Sequence, residues 1–306
     1  MQTEKGLVSI PSQLNFFELL GVLPRLFTLK KAGRSAGDYF ARLIGKSNFR
    51  SVLGPALDAV VCQSATDFPA ESLFRKKPRR KEILRSYTGP AGLQSFTEGI
   101  VTQPGLQVRV SSPVTRIEQT DDVYRISLDG GEALKAGSLA LAVAPDVAAN
   151  LLQTIQPGLA ASLAQIGVVK IESVAVLLKA DALKLPPLAG IIGRDDDFYS
   201  VVSRDLVPDP EYRAFTFHFR PDRLNDQEKD RRIREVLGVA EGAILDRADM
   251  LNRLPALRLG HDKRIAEVDR ILRDQPLALT GNWFSGVSIE DSLIRTAEEF
   301  ARLYPV

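Results

Sequence analysis

The chain has little of several residue types on which chemistry often rests. It holds one cysteine, Cys62, and two histidines, His218 and His261, in 306 residues. A single cysteine excludes an internal disulfide framework and any multi-cysteine zinc or iron–sulfur site. The histidines lie far apart, so no HExxH-type metal motif exists and no metal is expected. Charge of one sign is also lacking. Lys plus Arg number 40 against 38 Asp plus Glu, a net charge of +2, which argues against a nucleic-acid partner held by bulk phosphate neutralisation. There is no apolar run of about 18 residues or more, so no membrane-spanning helix is expected. The opening Met-Gln-Thr-Glu-Lys-Gly lacks a signal-peptide pattern, which makes a reducing cytoplasmic setting the expectation. What is present is ordinary: 44% hydrophobic and 25% charged residues, the proportions of a globular chain, at a length that suggests two domains.

The first hundred residues read as helical. Leu14 to Leu29 is apolar and interrupted by Pro24; it reads equally as a buried core helix or as an interfacial helix flanked by Lys30, Lys31 and Arg34. Ser35 is placed as an N-cap before an amphipathic run with Phe40, Leu43 and Ile44, and Val52 to Val61 forms a further short helix. The basic run Arg75 to Lys81 contains Pro78 and reads as a loop, solvated or facing anionic lipid or a carboxylated substrate. After Gly105 the texture changes. Gln107 to Val110, Val114 to Glu118 and Val123 to Leu128 read as strands, with a hairpin turn at Asp129-Gly130-Gly131, and Ser138 to Val143 as a buried strand. Helices are expected at Val147 to Leu152 and Leu159 to Ile166. Strands then follow at Val168 to Leu178, Ile191–Ile192, Tyr199 to Val202, Arg213 to Phe219 and Asp246 to Leu251. Helices are expected at Asp226 to Leu237 and Asp262 to Arg273.

The most informative stretch is Leu277-Ala278-Leu279-Thr280-Gly281-Asn282-Trp283-Phe284-Ser285-Gly286-Val287-Ser288-Ile289-Glu290-Asp291. It reads as a buried strand, a glycine that ends it, and a second glycine just before a helix. Ser288 is the expected N-cap, with Asp291 completing a capping box. Ile289, Leu293, Ala297 and Phe300 are spaced as the core face of that helix. A helix N-terminus behind a glycine leaves backbone N–H groups open to an electron-rich ligand. A plain strand–turn–helix with a good cap is the competing reading, and the acidic first-turn residues Glu290 and Asp291 weigh on that side.

This stretch resembles the C-terminal flavin-binding motif of the FAD-dependent amine oxidase superfamily, in its protoporphyrinogen oxidase-like branch. In the resemblance Gly281 and Asn282 lie beside the ribityl–pyrophosphate part of FAD, and Gly286, Val287 and Ser288 place backbone N–H groups near the isoalloxazine. The family's helix usually carries a glycine where this chain has Thr296. Ser35 to Phe40 with Gly45 and Pro55 is similar to the family's helical region. Gly89 to Phe96 looks like its GGLQ opening of a helix, and Ser112 to Ile117 like the strand whose valine, here Val114, holds the adenine. Leu254-Pro255 with Gly260-His261 resembles a further family stretch, with Ala256 and Leu257 as departures. The strand that supplies a lysine near the flavin in amine oxidases corresponds to Ser173 to Leu178, which has no lysine; that favours the protoporphyrinogen oxidase-like branch and also describes a plain buried strand.

The family opens with a strand–GxGxxG–helix unit, and no GxGxxG occurs in this sequence. Either the gene product is truncated, or a separate chain supplies that unit, or FAD is no longer bound. The resemblance implies an α+β fold with an α/β remnant: an incomplete Rossmann-like FAD domain beside a substrate domain made of an antiparallel sheet and a helical lobe. Residues 1–104 form the lobe, 105–165 and 266–306 the FAD-domain portions, and 166–265 the sheet. The implied function is an FAD-dependent oxidoreductase acting on a large apolar substrate such as a tetrapyrrole. The alternatives are a non-catalytic binding or scaffold member, or an amine oxidase- or carotenoid desaturase-like flavoenzyme. The implied setting is cytoplasmic, with peripheral contact at the inner membrane face. Surface left bare by the absent unit is expected to associate, as a homodimer or with a separate FAD-domain chain. Of the remaining candidates, His261 reads as a hydrogen-bonded structural histidine, His218 as exposed or edge-placed, and Cys62 as a small core residue. Trp283 reads equally as a flavin cover or core filler. No catalytic residue is assigned.

Overall fold

A computed structural model describes residues 1–4, 6–74, 82, 89, 91–204, 209–284 and 286–305. The basic run at 75–81 lies outside the described residues.

The chain starts with a small hairpin, β1 (Gln2–Thr3) and β2 (Gly6–Leu7), followed by α1 (Phe16–Val22), α2 (Ala36–Ile44), α3 (Lys46–Asn48) and α4 (Gly54–Val61). Ser35 caps α2 as expected, its hydroxyl accepting from the Asp38 amide. Buried Asn48 latches α1 onto this lobe: its Nδ2 donates to the Asn15 carbonyl at 2.9 Å and its Oδ1 accepts from the Asn15 amide at 2.7 Å. The lobe's core is Ala36, Phe40, Leu57, Val61, Ala65 and Phe68. The segment Leu14 to Leu29 is not a buried helix. Pro24 breaks it into α1 and a 3-10 turn, Leu23–Phe27, and Phe17 and Phe27 are 88% and 91% exposed. Only Val22 of α1 is buried, because seven residues in α1 give two turns and one side to pack.

After α5 (Gln94–Val101) come the meander β3 (Val114–Thr120), β4 (Val123–Leu128) and β5 (Ala133–Ala136), and then β6 (Leu139–Leu141). Among the described residues, 107–110 are exposed and pair with no strand, although their alternation suggests one. A β pattern without a partner strand satisfies no ladder hydrogen bonds. Helices α6 (Pro145–Leu152) and α7 (Pro157–Leu163) lead into the long β7 (Gly167–Lys179), then β8 (Gly190–Ile192), β9 (Phe198–Ser203) and β10 (Tyr212–Phe219). Next are α8 (Asp226–Leu237), β11 (Ile244–Ala256), α9 (His261–Leu272), β12 (Leu277–Leu279) and α10 (Ile289–Leu303).

Two sheets position the site. The larger is antiparallel in the order β11-β7-β10-β9-β8. One of its faces buries Val174, Val176, Phe215, Phe217 and Phe219 against α8. The smaller is the parallel pair β12-β6, whose residues join α6, α7, α9 and Trp283 in a separate core. This mixed architecture matches the expected α+β class. Among the described residues no helix is long and apolar enough to cross a membrane.

Candidate functional site at the carboxyl-terminal bend

Strands β6 and β12 run parallel and end together at Leu141 and Leu279, and ligand sites in such sheets lie beyond the strands' carboxyl ends. Here Gly281 turns the chain with φ of +140°, a backbone that favours glycine. A Cβ at that position would meet Trp283 Nε1 at 3.0 Å. Trp283 fills the core: it is 1% exposed, and its indole N–H donates to the Val143 carbonyl at 3.1 Å. His261 pins the next turn, its Nε2 2.6 Å from the Trp283 carbonyl and 3.3 Å from that of Phe284, which is the structural role the sequence suggests. Burial holds His261 below its ordinary pKa of 6.5, partly offset by those two carbonyls.

Ser288 caps α10 as expected. Its hydroxyl accepts from the Asp291 amide at 3.2 Å, and Asp291 returns a carboxylate to the Ser288 amide. That carboxylate also occupies the space beside Gly286, where a Cβ would collide with it. Asp291 therefore sits where an anion would be stabilised by the helix terminus.

The core-face assignment for α10 is reversed. Ile289, Leu293 and Phe300 are 74%, 60% and 63% exposed, and Ala297 is exposed as well. The buried side carries Asp291, Arg295 and Glu299. Arg295 pairs with Asp269 at 2.8 Å and Glu299 at 3.1 Å, donates from Nε to the Leu279 carbonyl, and lies 4.0 Å over the Phe284 ring. Glu299 accepts from the Leu279 amide and pairs with Arg302. These partners make burial of the charged side tolerable, and the apolar side is left facing outward.

In front of the bend lies a cavity of about 260 Å³. Asn282 and Val287 form one wall. Cys62 and Gln63, at the end of α4, form the second, and Ser173, His218, Asn252 and Leu254 of the large sheet form the third. Of the six residues singled out in sequence, the structure brings Asn282 and Val287 together here. Gly281, Gly286 and Ser288 are occupied within the bend, and Val114 is on β3, paired with Leu128.

The sheet's contribution was not legible beforehand. His218 is neither on an edge strand nor fully exposed: β10 lies between β7 and β9, and His218 faces Ser173 and Ser200 in register. The alternation Phe217-His218-Phe219 sends the phenylalanines into the core and the imidazole to the opposite, cavity side. Ser173 Oγ lies 2.9 Å from His218 Nδ1, and Asn252 Nδ2 donates to the same oxygen at 2.8 Å. Burial and the Arg204 guanidinium both depress the His218 pKa. The Cys62 thiol is pushed up by burial, offset in part by Ser200, which suits a neutral wall group and not a nucleophile. Among the described residues no cluster of His, Cys, Asp or Glu could hold a metal ion.

Both histidines therefore favour the neutral form when folded. Below pH 6.5 the unfolded chain takes up protons that the folded chain resists, so stability falls as pH drops through that value toward the depressed folded pKa values. Urea midpoints at pH 7.5 and 5.5 should differ, and the difference should shrink in His218→Asn and His261→Asn. An unchanged difference in both variants would assign the loss to carboxylates instead.

The family model for flavin-containing amine oxidoreductases matches residues 25–239, which is more than half of the chain. No curated protein sequence matches. Among solved structures the chain resembles a protein from Exiguobacterium sp. 255-15 assigned as a protoporphyrinogen oxidase, at TM-score 0.73 and 17% identity over 98% of this chain and 77% of that one. It also resembles reduced UDP-galactopyranose mutase, at TM-score 0.66 and 14% identity over 94% and 72% of the respective chains. A putrescine oxidase double mutant from a cofactor-binding redesign gives TM-score 0.65 and 10% identity over 98% and 78%. At these identities the likenesses speak for the fold, while the family match covers α2 to α8 and hence the helical lobe and most of the large sheet. The chain belongs to the family of flavin-containing amine oxidoreductases.

Proposed function

We propose that this chain is the substrate-binding part, with the ring end of the cofactor site, of an FAD-dependent oxidoreductase of the protoporphyrinogen oxidase-like type. The observation that carries this reading is the cavity that joins Asn282 and Val287 of the bend to the antiparallel sheet. The residues present fit one end of the cofactor. Asn282 and Val287 offer a wall for the isoalloxazine, while the first amides of α10 are taken up in the Ser288–Asp291 capping box. The pyrophosphate end has no counterpart, since the sequence holds no GxGxxG.

A bound flavin supplies the two-electron acceptor. The chain's own residues do the rest: Val61, Ile171, Leu254 and Pro255 exclude water from the cavity and hold an apolar substrate edge against the bend. Among the described residues no lysine lines this wall, which favours this reading over amine oxidation. The substrate is a large apolar molecule such as a tetrapyrrole, of which the cavity takes one edge. Residues 105–165 and 266–306 form what this reading takes as the FAD-domain portion, in which Val114 offers the adenine a single contact and no cradle.

The missing dinucleotide unit is supplied from outside these 306 residues. Its seat is the outward apolar side of α10, with Ile289, Leu293 and Phe300. A second reading, a binding or scaffold member that has lost the flavin, is favoured by Asp291 at the helix terminus.

Val287→Trp fills the cavity wall at a half-exposed position and should weaken flavin binding at least ten-fold with no loss of thermal stability. Equal flavin affinity in this variant would remove the bend from the proposal.

A further inference from the structure

Three adjacent strands line up a polar row on the cavity side of the large sheet. Asn252 of β11, Ser173 of β7 and His218 of β10 follow one another across the sheet, with His218 and Ser173 directly opposite in register. The row begins at a fixed donor. The Asn252 amide can only donate from Nδ2, and it donates to Ser173 Oγ at 2.8 Å. The serine hydroxyl proton is then free for the acceptor 2.9 Å away, His218 Nδ1. An imidazole whose Nδ1 accepts carries its proton on Nε2. The β10–β9 pairing slips between His218 and Phe219, and such a bulge re-aims the side chain beside it.

We propose that Asn252 and Ser173 are positioning residues that fix the His218 proton on Nε2, so that His218 presents one hydrogen-bond donor to an apolar ligand carrying a nitrogen lone pair or a carbonyl oxygen. The inference deepens the proposed function by naming the polar contact of the same cavity, and it rests on that reading only for the identity of the ligand. The cavity's apolar walls are Val61, Ile171, Leu254, Pro255 and Val287, with Gln63 and Asn282 as its further polar members, so a mostly apolar ring with few polar atoms is matched and an ionic one is not. The depressed pKa of His218 agrees with a neutral ring at physiological pH.

The test uses the flavin-free chain, so it does not depend on cofactor binding. With only two histidines in the sequence, nitrogen-15 spectra of histidine-labelled protein give two ring systems, separated by the His218→Phe spectrum. His218 should show a protonated Nε2 and an unprotonated Nδ1. Ser173→Ala should convert it to a mixture of tautomers, and Ser173→Thr should restore the single form. Isoquinoline, as the probe, should shift the His218 Nε2 signal and lose about five-fold in affinity in His218→Phe, the effect of one hydrogen bond. Naphthalene should bind both proteins alike. A proton on Nδ1, a tautomer indifferent to Ser173→Ala, or equal isoquinoline affinity with and without the imidazole would overturn the proposal. Flavin binding lost by Val287→Trp or retained there leaves each of these outcomes unchanged.

Discussion

Arg295→Met should lower the stability of the chain by about 3–5 kcal/mol, the usual cost of removing one partner from a buried charge pair. Arg295 is 7% exposed and ties three pieces together: Asp269 on α9, Glu299 one turn along α10, and the carbonyl that ends β12. Without it, Glu299, itself 5% exposed, keeps Arg302 and the Leu279 amide but loses its second cation. The cost falls on the junction between α10 and the parallel strand pair, so it should also loosen the bend that carries Asn282 and Val287. Pairing the change with Glu299→Gln removes the stranded charge and should return at least half of the loss. Urea unfolding of the three variants checks this. A loss under about 1 kcal/mol for Arg295→Met would mean that α10 is held by something other than its buried charges.

The outward side of the same helix leads to the second large effect. Ile289, Leu293, Ile294 and Phe300 form an apolar side on solvent, and Leu106, Val108 and Val110 are exposed elsewhere in the chain. Isolated exposed apolar side chains are common, but a whole helix side is not. The purified chain should therefore associate in a concentration-dependent way. Leu293→Glu with Phe300→Glu should weaken that association more than ten-fold without lowering the unfolding midpoint, because neither side chain is buried within the chain. Sedimentation at several concentrations reads both results. A monomer at all concentrations in the unsubstituted chain would contradict the assignment of this surface as an interface.

The local grammar of the chain was readable from its residues. The Ser35 and Ser288 caps, the hairpin after Leu128 and the alternation of β10 all follow from short-range chemistry, and each is where the pattern puts it. Pairing was not readable. Residues 107–110 have a strand's pattern and no partner strand among the described residues, so their pattern does not become a strand there. The spacing of Ile289, Leu293, Ala297 and Phe300 identifies one side of a helix but not which side is covered; the ion pairs of Arg295 and Glu299 decide that, and they depend on α9 and β12 arriving at the same place. The candidate site shows the same division. Asn282 and Val287 were singled out because each directly follows a glycine in a single short stretch. Ser173, His218 and Asn252 were not, because three strands must come into register before a serine, a histidine and an asparagine become one row. The one local sign was a histidine alternating with phenylalanines, which marks it as facing away from the core.

The central claim is that the bend and the sheet together form the ring end of a flavin site while the pyrophosphate end is not built by these residues. Equilibrium titration of the purified chain with riboflavin and with FAD, followed by flavin fluorescence, tests this directly. The account predicts that both bind with affinities within a few-fold of each other, since the adenine dinucleotide half finds no cradle, and that Val287→Trp weakens both. Binding of neither flavin, or FAD bound far more tightly than riboflavin and untouched by Val287→Trp, would contradict it.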